Sequence, residues 1–205
     1  MKITQITEGM RLTFARSIFA NEVGGKVSNI YKFSDPDGEH SGKSGWSWGI
    51  CQFDINNNPN ATVILRECGF TDAEIEALKS QTVSDMAPMN QKLVDAKSVV
   101  DRWDGKQLDE CLTWMMTLCN RINVEFSNEE AFIHAADYEN QFHARYGGTF
   151  YTFAKNCASP ISAEMIRDFK YILPWGIKQL AKKDPKKDDV LRRYNNIKSI
   201  YEREA

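Results

Sequence analysis

No stretch of this chain approaches the roughly eighteen unbroken apolar residues that a membrane-spanning helix needs. Residues 1–19 also lack the apolar core of a signal peptide, so the sequence predicts synthesis in the cytoplasm without stable membrane insertion. A target elsewhere would be reached after release or through another secretion system. Charge of one sign is missing as well. A net charge of -2 over 205 residues gives no global field for nucleic acid or an anionic membrane, and no nucleic-acid partner is expected. The five cysteines (Cys51, Cys68, Cys111, Cys119 and Cys157) are odd in number and widely spaced. They form neither a disulfide framework nor a metal-ligand pattern, and are expected to be reduced core thiols. His40, His134 and His143 are too isolated to suggest a metal, and no cofactor is expected. Internal repeats, low-complexity segments and a linker long enough to separate independent domains are all lacking.

What remains is enough for one domain, 1–205, with a core that buries roughly two-thirds of the unfolded surface. Met10, Phe14 and Ile18, with Ala15 and Phe19 beside them, predict a helix from about Thr7 to Val23, ended by Gly24-Gly25. From Lys26 to about Asn58, turn residues punctuate short runs rich in Tyr, Trp, Ile and Phe, the pattern of a small hairpin. The remainder is helical, with helices expected near 60–68, 72–80, 86–103, 108–122, 128–145, 162–172 and 186–203. Capping boxes are expected at Thr71 with Glu74 and at Ser127 with Glu130, and Asp184-Pro185 is expected to open the last helix. The predicted class is α+β, mainly α: an N-terminal helix and β lobe (1–58) packed on a larger helical lobe (59–205), with a cleft between them.

The first fifty-four residues carry the chemistry. A glycosidic bond is cleaved by a protonated carboxylic acid together with a group that stabilises the cationic sugar or positions a water. Glu22 suits the first role, because the negative end of the helix macrodipole opposes its ionised form. The alternative is a solvated helix-end glutamate. Asp35, Asp37, Glu39 and Asp54 are candidates for a second acid, although Asp35-Pro36-Asp37-Gly38 is also a turn whose aspartates can cap their own backbone. Ser44, Ser47 and Gln52 offer a hydroxyl or amide for a water or a sugar hydroxyl. In Trp46-Ser47-Trp48 the two indoles should share one face of a strand, one face being core and the other lining the cleft.

This stretch resembles the lysozyme superfamily, most closely the phage-type lysozymes (endolysins). The family pattern of a glutamate ending an N-terminal helix, an Ile-Tyr-Lys run, an aspartate in a turn, and a hydroxyl before a Gly-Ile segment is followed here as Glu22 and Gly24, Ile30-Tyr31-Lys32, Asp35-Pro36-Asp37-Gly38 and Ser47-Trp48-Gly49-Ile50-Cys51. The resemblance implies Glu22 as general acid, Asp35 as second acid and Ser47 as the water-positioning hydroxyl. Tyr31, Trp48 and Gln52 become candidate sugar-binding residues. Three departures stand out: the spacings are longer, serine replaces threonine, and Cys51 replaces a glycine. The run Ser44 to Gln52 is also similar to a segment of lytic transglycosylases, which use a lone glutamate. The resemblance covers about the first quarter of the chain.

In the helical part, Tyr138 and Gln141 fall three residues apart and are expected to face the cleft from the other side. The alternative is an ordinary amphipathic helix with Phe142 in the core and Asp137 and Glu139 solvated. The lysines and arginines from Lys178 to Lys198 make a basic C-terminal part, expected as a solvated face or as a seat for an anionic wall polymer or outer membrane surface. The expected activity is a peptidoglycan-cleaving muramidase, as a phage endolysin or a cell-wall-degrading effector. A lytic transglycosylase is the close rival, and a non-catalytic peptidoglycan-binding module is the rival of another class. A monomer is expected, and an inhibitor or immunity protein is a partner that such an activity would bring.

Overall fold

The computed structural model describes residues 1–35, 44–157, 160–182, 184–185 and 187–204. Among these are ten α-helices and one short antiparallel sheet: α1 (Glu8–Val23), a 3-10 turn (Val27–Asn29), β1 (Ser47–Trp48), β2 (Phe53–Asp54), α2 (Ala61–Glu67), α3 (Asp72–Lys79), α4 (Ala87–Asp95), α5 (Lys97–Arg121), α6 (Glu129–Phe142), α7 (Thr149–Asn156), α8 (Ala163–Ile172), α9 (Pro174–Ala181) and α10 (Asp189–Glu204). The chain is therefore mainly helical with a two-stranded sheet, and no helix among the described residues is long and apolar enough to cross a membrane. It forms two compact units, Met1–Asn21 with Leu108–Ala205, and Glu22–Gln107. The division falls within α1 and α5 rather than in the loop near residue 58.

Local chemistry explains most element boundaries. The Thr7 hydroxyl accepts the Met10 amide as α1 begins, Met10, Phe14 and Ile18 are buried along it, and Gly24 and Gly25 (φ 66° and 69°) stop it. The Thr71–Glu74 capping box opens α3 as expected. At α6 the cap is Asn128 rather than Ser127: its side chain accepts the Ala131 amide. The final helix begins at Asp189, and Asp188 rather than Asp184 accepts an amide of its first turn, that of Leu191 at 3.1 Å. One unbroken helix, α5, runs through Gly105 where two helices were expected, and the break comes earlier, at Ala96.

In the second unit, β1 and β2 pair as Ser47 with Asp54 and Trp48 with Phe53, and Ser34 adds a single bridge to Ser47. Phe33, Trp48 and Phe53 pack there as a buried aromatic group, with Phe33 edge-on to Trp48 at 5.3 Å. In the first unit the core includes Phe14, Phe126, Phe132, Phe150 and Ile197. Within it lies a carboxylate that the amphipathic-helix alternative placed in solvent. Asp137 has no exposed surface and accepts from Lys170 Nζ at 2.7 Å, Arg193 Nη2 at 2.6 Å and Asn21 Nδ2 at 3.3 Å. Burial alone would raise its pKa, yet the two cations hold it well below the usual carboxylate range. Arg193, 3% exposed, is thus an interior residue and not part of a solvated basic face. All five cysteines are free thiols, and burial pushes Cys68 up to about 11.

Candidate functional site

The last turn of α1 delivers Glu22 to a pocket of about 300 Å³ in the second unit, lined by Glu22, Val23, Asn29, Lys32, Phe33, Ser34 and Gln52. The wall is built locally. Gly24 and Gly25 reverse the chain, the Asn29 amide side chain donates to Val23 O at 3.1 Å, and the 3-10 turn carries the chain on to Lys32 and Ser34. Across the pocket, the Gly49 amide donates to Ile30 O at 2.8 Å and ties the 49–52 turn to this wall.

That turn holds Gln52 in a left-handed conformation, φ 53°, which costs a non-glycine residue about 1 kcal/mol. The Gln52 side chain is held at both ends: Nε2 donates to Gly49 O at 2.9 Å, and Oε1 accepts the Ser34 hydroxyl at 3.0 Å. Beneath the turn sits Asp104 on α5, 2% exposed. Its two carboxylate oxygens accept the consecutive amides of Ile50 and Cys51, each at 2.9 Å. Burial raises the Asp104 carboxyl to about 6, against the opposing pull of those two amides. Gly49, at φ 78°, is required here, since a Cβ would lie 2.8 Å from Asp104 Oδ1.

The expected site residues separate clearly. Glu22 and Gln52 line the same pocket. Asp35 is described and half-buried but is not among the lining residues. Ser47 is 2% exposed, with its hydroxyl directed to Gly45 O at 3.4 Å, because β1 is covered on both faces. Trp48 is fully buried in the aromatic core and presents no stacking face to a sugar. The Tyr31 hydroxyl donates to Asp101 and accepts from Lys97, whose ammonium lies 4.4 Å from the ring centroid. Tyr138 is 5% exposed among Phe142, Phe150 and Phe169 in the first unit, and Gln141 Oε1 accepts from Lys170 Nζ at 2.9 Å. These contacts make Tyr138 a packing residue and Gln141 an ally of the buried Asp137 network. Asp54 is taken up by its own turn, accepting the amides of Gly45, Asn56 and Asn57. Asp37, Glu39 and His40 lie outside the described residues.

Sequence reasoning did not single out Asp104, Ser34 or Asn29, and named Lys32 only within the Ile30-Tyr31-Lys32 run. Asp104 has no local signal, since its partners lie more than fifty residues away in a turn. Ser34 could have been found, because it precedes the Asp35-Pro36 turn on the strand-forming side. A larger pocket of about 580 Å³ in the first unit is lined by Gly147, Gly148, Thr149, Thr152, Phe153, Asn156, Cys157, Phe169 and Ile172. Its described lining residues include no acid or base apart from the Cys157 thiol, whose pKa burial raises. The smaller pocket is the one that Glu22 lines. Comparison of the chain with protein-family models, with curated proteins and with solved structures returns no match.

Proposed function

We propose that the chain is a peptidoglycan-cleaving glycosidase of lysozyme-like build, a muramidase acting on the β-1,4 bond between N-acetylmuramic acid and N-acetylglucosamine, as an endolysin or a cell-wall-degrading effector. The observation that carries this is the convergence of Glu22, Ser34 and Gln52 on one pocket. Glu22 supplies the proton to the leaving oxygen as general acid. The Ser34 hydroxyl and the Gln52 amide, joined at 3.0 Å, take the water- or sugar-positioning role that the resemblance assigned to Ser47. Mass analysis of products from purified peptidoglycan tests this: hydrolysis leaves reducing-end muramic acid, and a binding module leaves nothing.

A single-glutamate lytic transglycosylase is the second reading, favoured by one observation. Among the described lining residues Glu22 is the sole carboxylate, whereas an inverting hydrolase keeps its two carboxyls about 6.5–9.5 Å apart across a water. Under hydrolysis with Asp35 as second acid, Asp35→Asn lowers turnover severely. A nearly silent Asp35→Asn together with anhydro-muramic ends selects the transglycosylase instead.

A further inference from the structure

The pocket that holds Glu22 also holds a cation. Among its described lining residues Lys32 is the sole basic side chain, beside Glu22, Asn29, Ser34 and Gln52. The backbone is fixed on both sides of it: Ile30 O accepts the Gly49 amide at 2.8 Å, the Phe33 amide donates to Asn90 Oδ1 at 2.9 Å, and Ser34 exchanges two backbone hydrogen bonds with Ser47, each at 2.8 Å. The flanking side chains are committed elsewhere. Tyr31 is bonded through its hydroxyl to Lys97 and Asp101 of α5, and Phe33 packs in the aromatic core against Trp48. Lys32 between them is exposed. Other cations of the second unit are answered by acids: Arg66 by Asp72, Lys92 by Glu74, Lys97 by Asp101 and Arg102 by Glu67. The Lys32 ammonium pairs with no described carboxylate, Glu22 included.

We propose, resting on the reading of this pocket as a peptidoglycan-cleaving site, that Lys32 sets its substrate class: the ammonium pairs with a carboxylate carried by the muramoyl sugar, so that the pocket takes an anionic glycan in preference to a neutral polymer of N-acetylglucosamine. The two β-1,4 glycans share their backbone and N-acetyl groups and differ in one substituent. Muramic acid alone carries a lactyl ether, which presents a carboxylate either on the lactyl group itself, in a bare strand, or on the peptide attached to it. A cation rooted in a fixed backbone beside the general acid meets that charge, and a neutral sugar leaves it unmatched. Lysine suits this task, because a point charge on a flexible four-carbon stem follows a projecting substituent without demanding one geometry.

Equilibrium binding of the full chain tests the proposal, measured in a Glu22→Gln background so that no ligand is consumed. The ligands are peptide-free glycan strands, peptide-bearing strands and neutral chito-oligosaccharides of matched length, and cleavage of the same three is followed with Glu22 intact. Lys32→Met is expected to weaken binding of an anionic strand about fivefold or more at low ionic strength, less at high, and to leave the chito-oligosaccharides unaffected. Lys32→Arg should restore most of the loss. A loss on peptide-free strands assigns the lactyl carboxylate, and a loss confined to peptide-bearing strands assigns a carboxylate of the peptide. The proposal is overturned if Lys32→Met leaves both anionic strands unaffected, if it weakens the neutral oligosaccharide equally, or if no glycan binds. Glu22-dependent cleavage that ignores Lys32 overturns the proposal alone, whereas Lys32-dependent binding of anionic strands without any cleavage overturns the glycosidase reading and upholds the carboxylate contact.

Discussion

Gln52 keeps a backbone angle that glycine tolerates freely and other residues resist, and its side chain lines the pocket that holds Glu22. Strain retained at a pocket wall points to function. Replacing Gln52 with glycine should therefore stabilise the fold by up to about 1 kcal/mol in urea titration while slowing peptidoglycan cleavage. Asp104, which anchors the same turn, leaves a pH signature. Its folded pKa of about 6 lies above that of an ordinary aspartate in an unfolded chain, so its contribution is full below the unfolded pKa and declines as pH rises toward 6. The stability difference between wild type and Asp104→Asn should thus shift by about 2 kcal/mol between about pH 4 and about pH 7, with wild type favoured at the acid end. A pH-independent difference would mean that Asp104 is not titrating where burial places it.

Among the elements, α1, α3 and α6 were legible because each joins an apolar stripe to a capping side chain. Other elements were not. Helices α7 and α9 lie behind Gly147-Gly148 and at Pro174, residues that signal turns in a sequence but here start helices. Gly105 suggested a break in α5, yet Val100, Asp104, Leu108 and Leu112 form a buried stripe spaced four apart, and packing outweighs the roughly 1 kcal/mol that a helical glycine costs. A Cβ at Gly105 would meet nothing within 4 Å. Gly105→Ala is accordingly expected to raise stability by about 0.5–1 kcal/mol, read as a higher urea midpoint. That Glu22 ends α1 on the wall of a pocket was legible from its helix-end position. Ser47, Trp48, Tyr31 and Tyr138 were misassigned because residue spacing tells which side chains share a face but not which face is covered.

At the scale of the molecule, the first unit is organised around a buried ion network rather than by apolar packing alone. Asp137 answers both Lys170 and Arg193, residues of α8 and α10, and receives Asn21 of α1. Asp137→Asn leaves two buried cations facing a neutral amide, and should destabilise the chain by about 3–5 kcal/mol, a large share of a typical folding free energy. Because the folded pKa of Asp137 is depressed, its stabilisation is present above the unfolded carboxylate pKa and is lost only as pH falls well into the acid range. Thermal unfolding of the variant across pH reads this directly.

The central claim is that Glu22 is the general acid of a glycan-cleaving pocket. Its most direct test is the rate of soluble product release from purified peptidoglycan by wild type and Glu22→Gln, with thermal midpoints measured on the same samples. General acid assistance predicts a rate at least about a hundredfold lower in the variant, with an unchanged or higher midpoint. A Glu22→Gln protein that is equally stable and still releases product at close to the wild-type rate would contradict it.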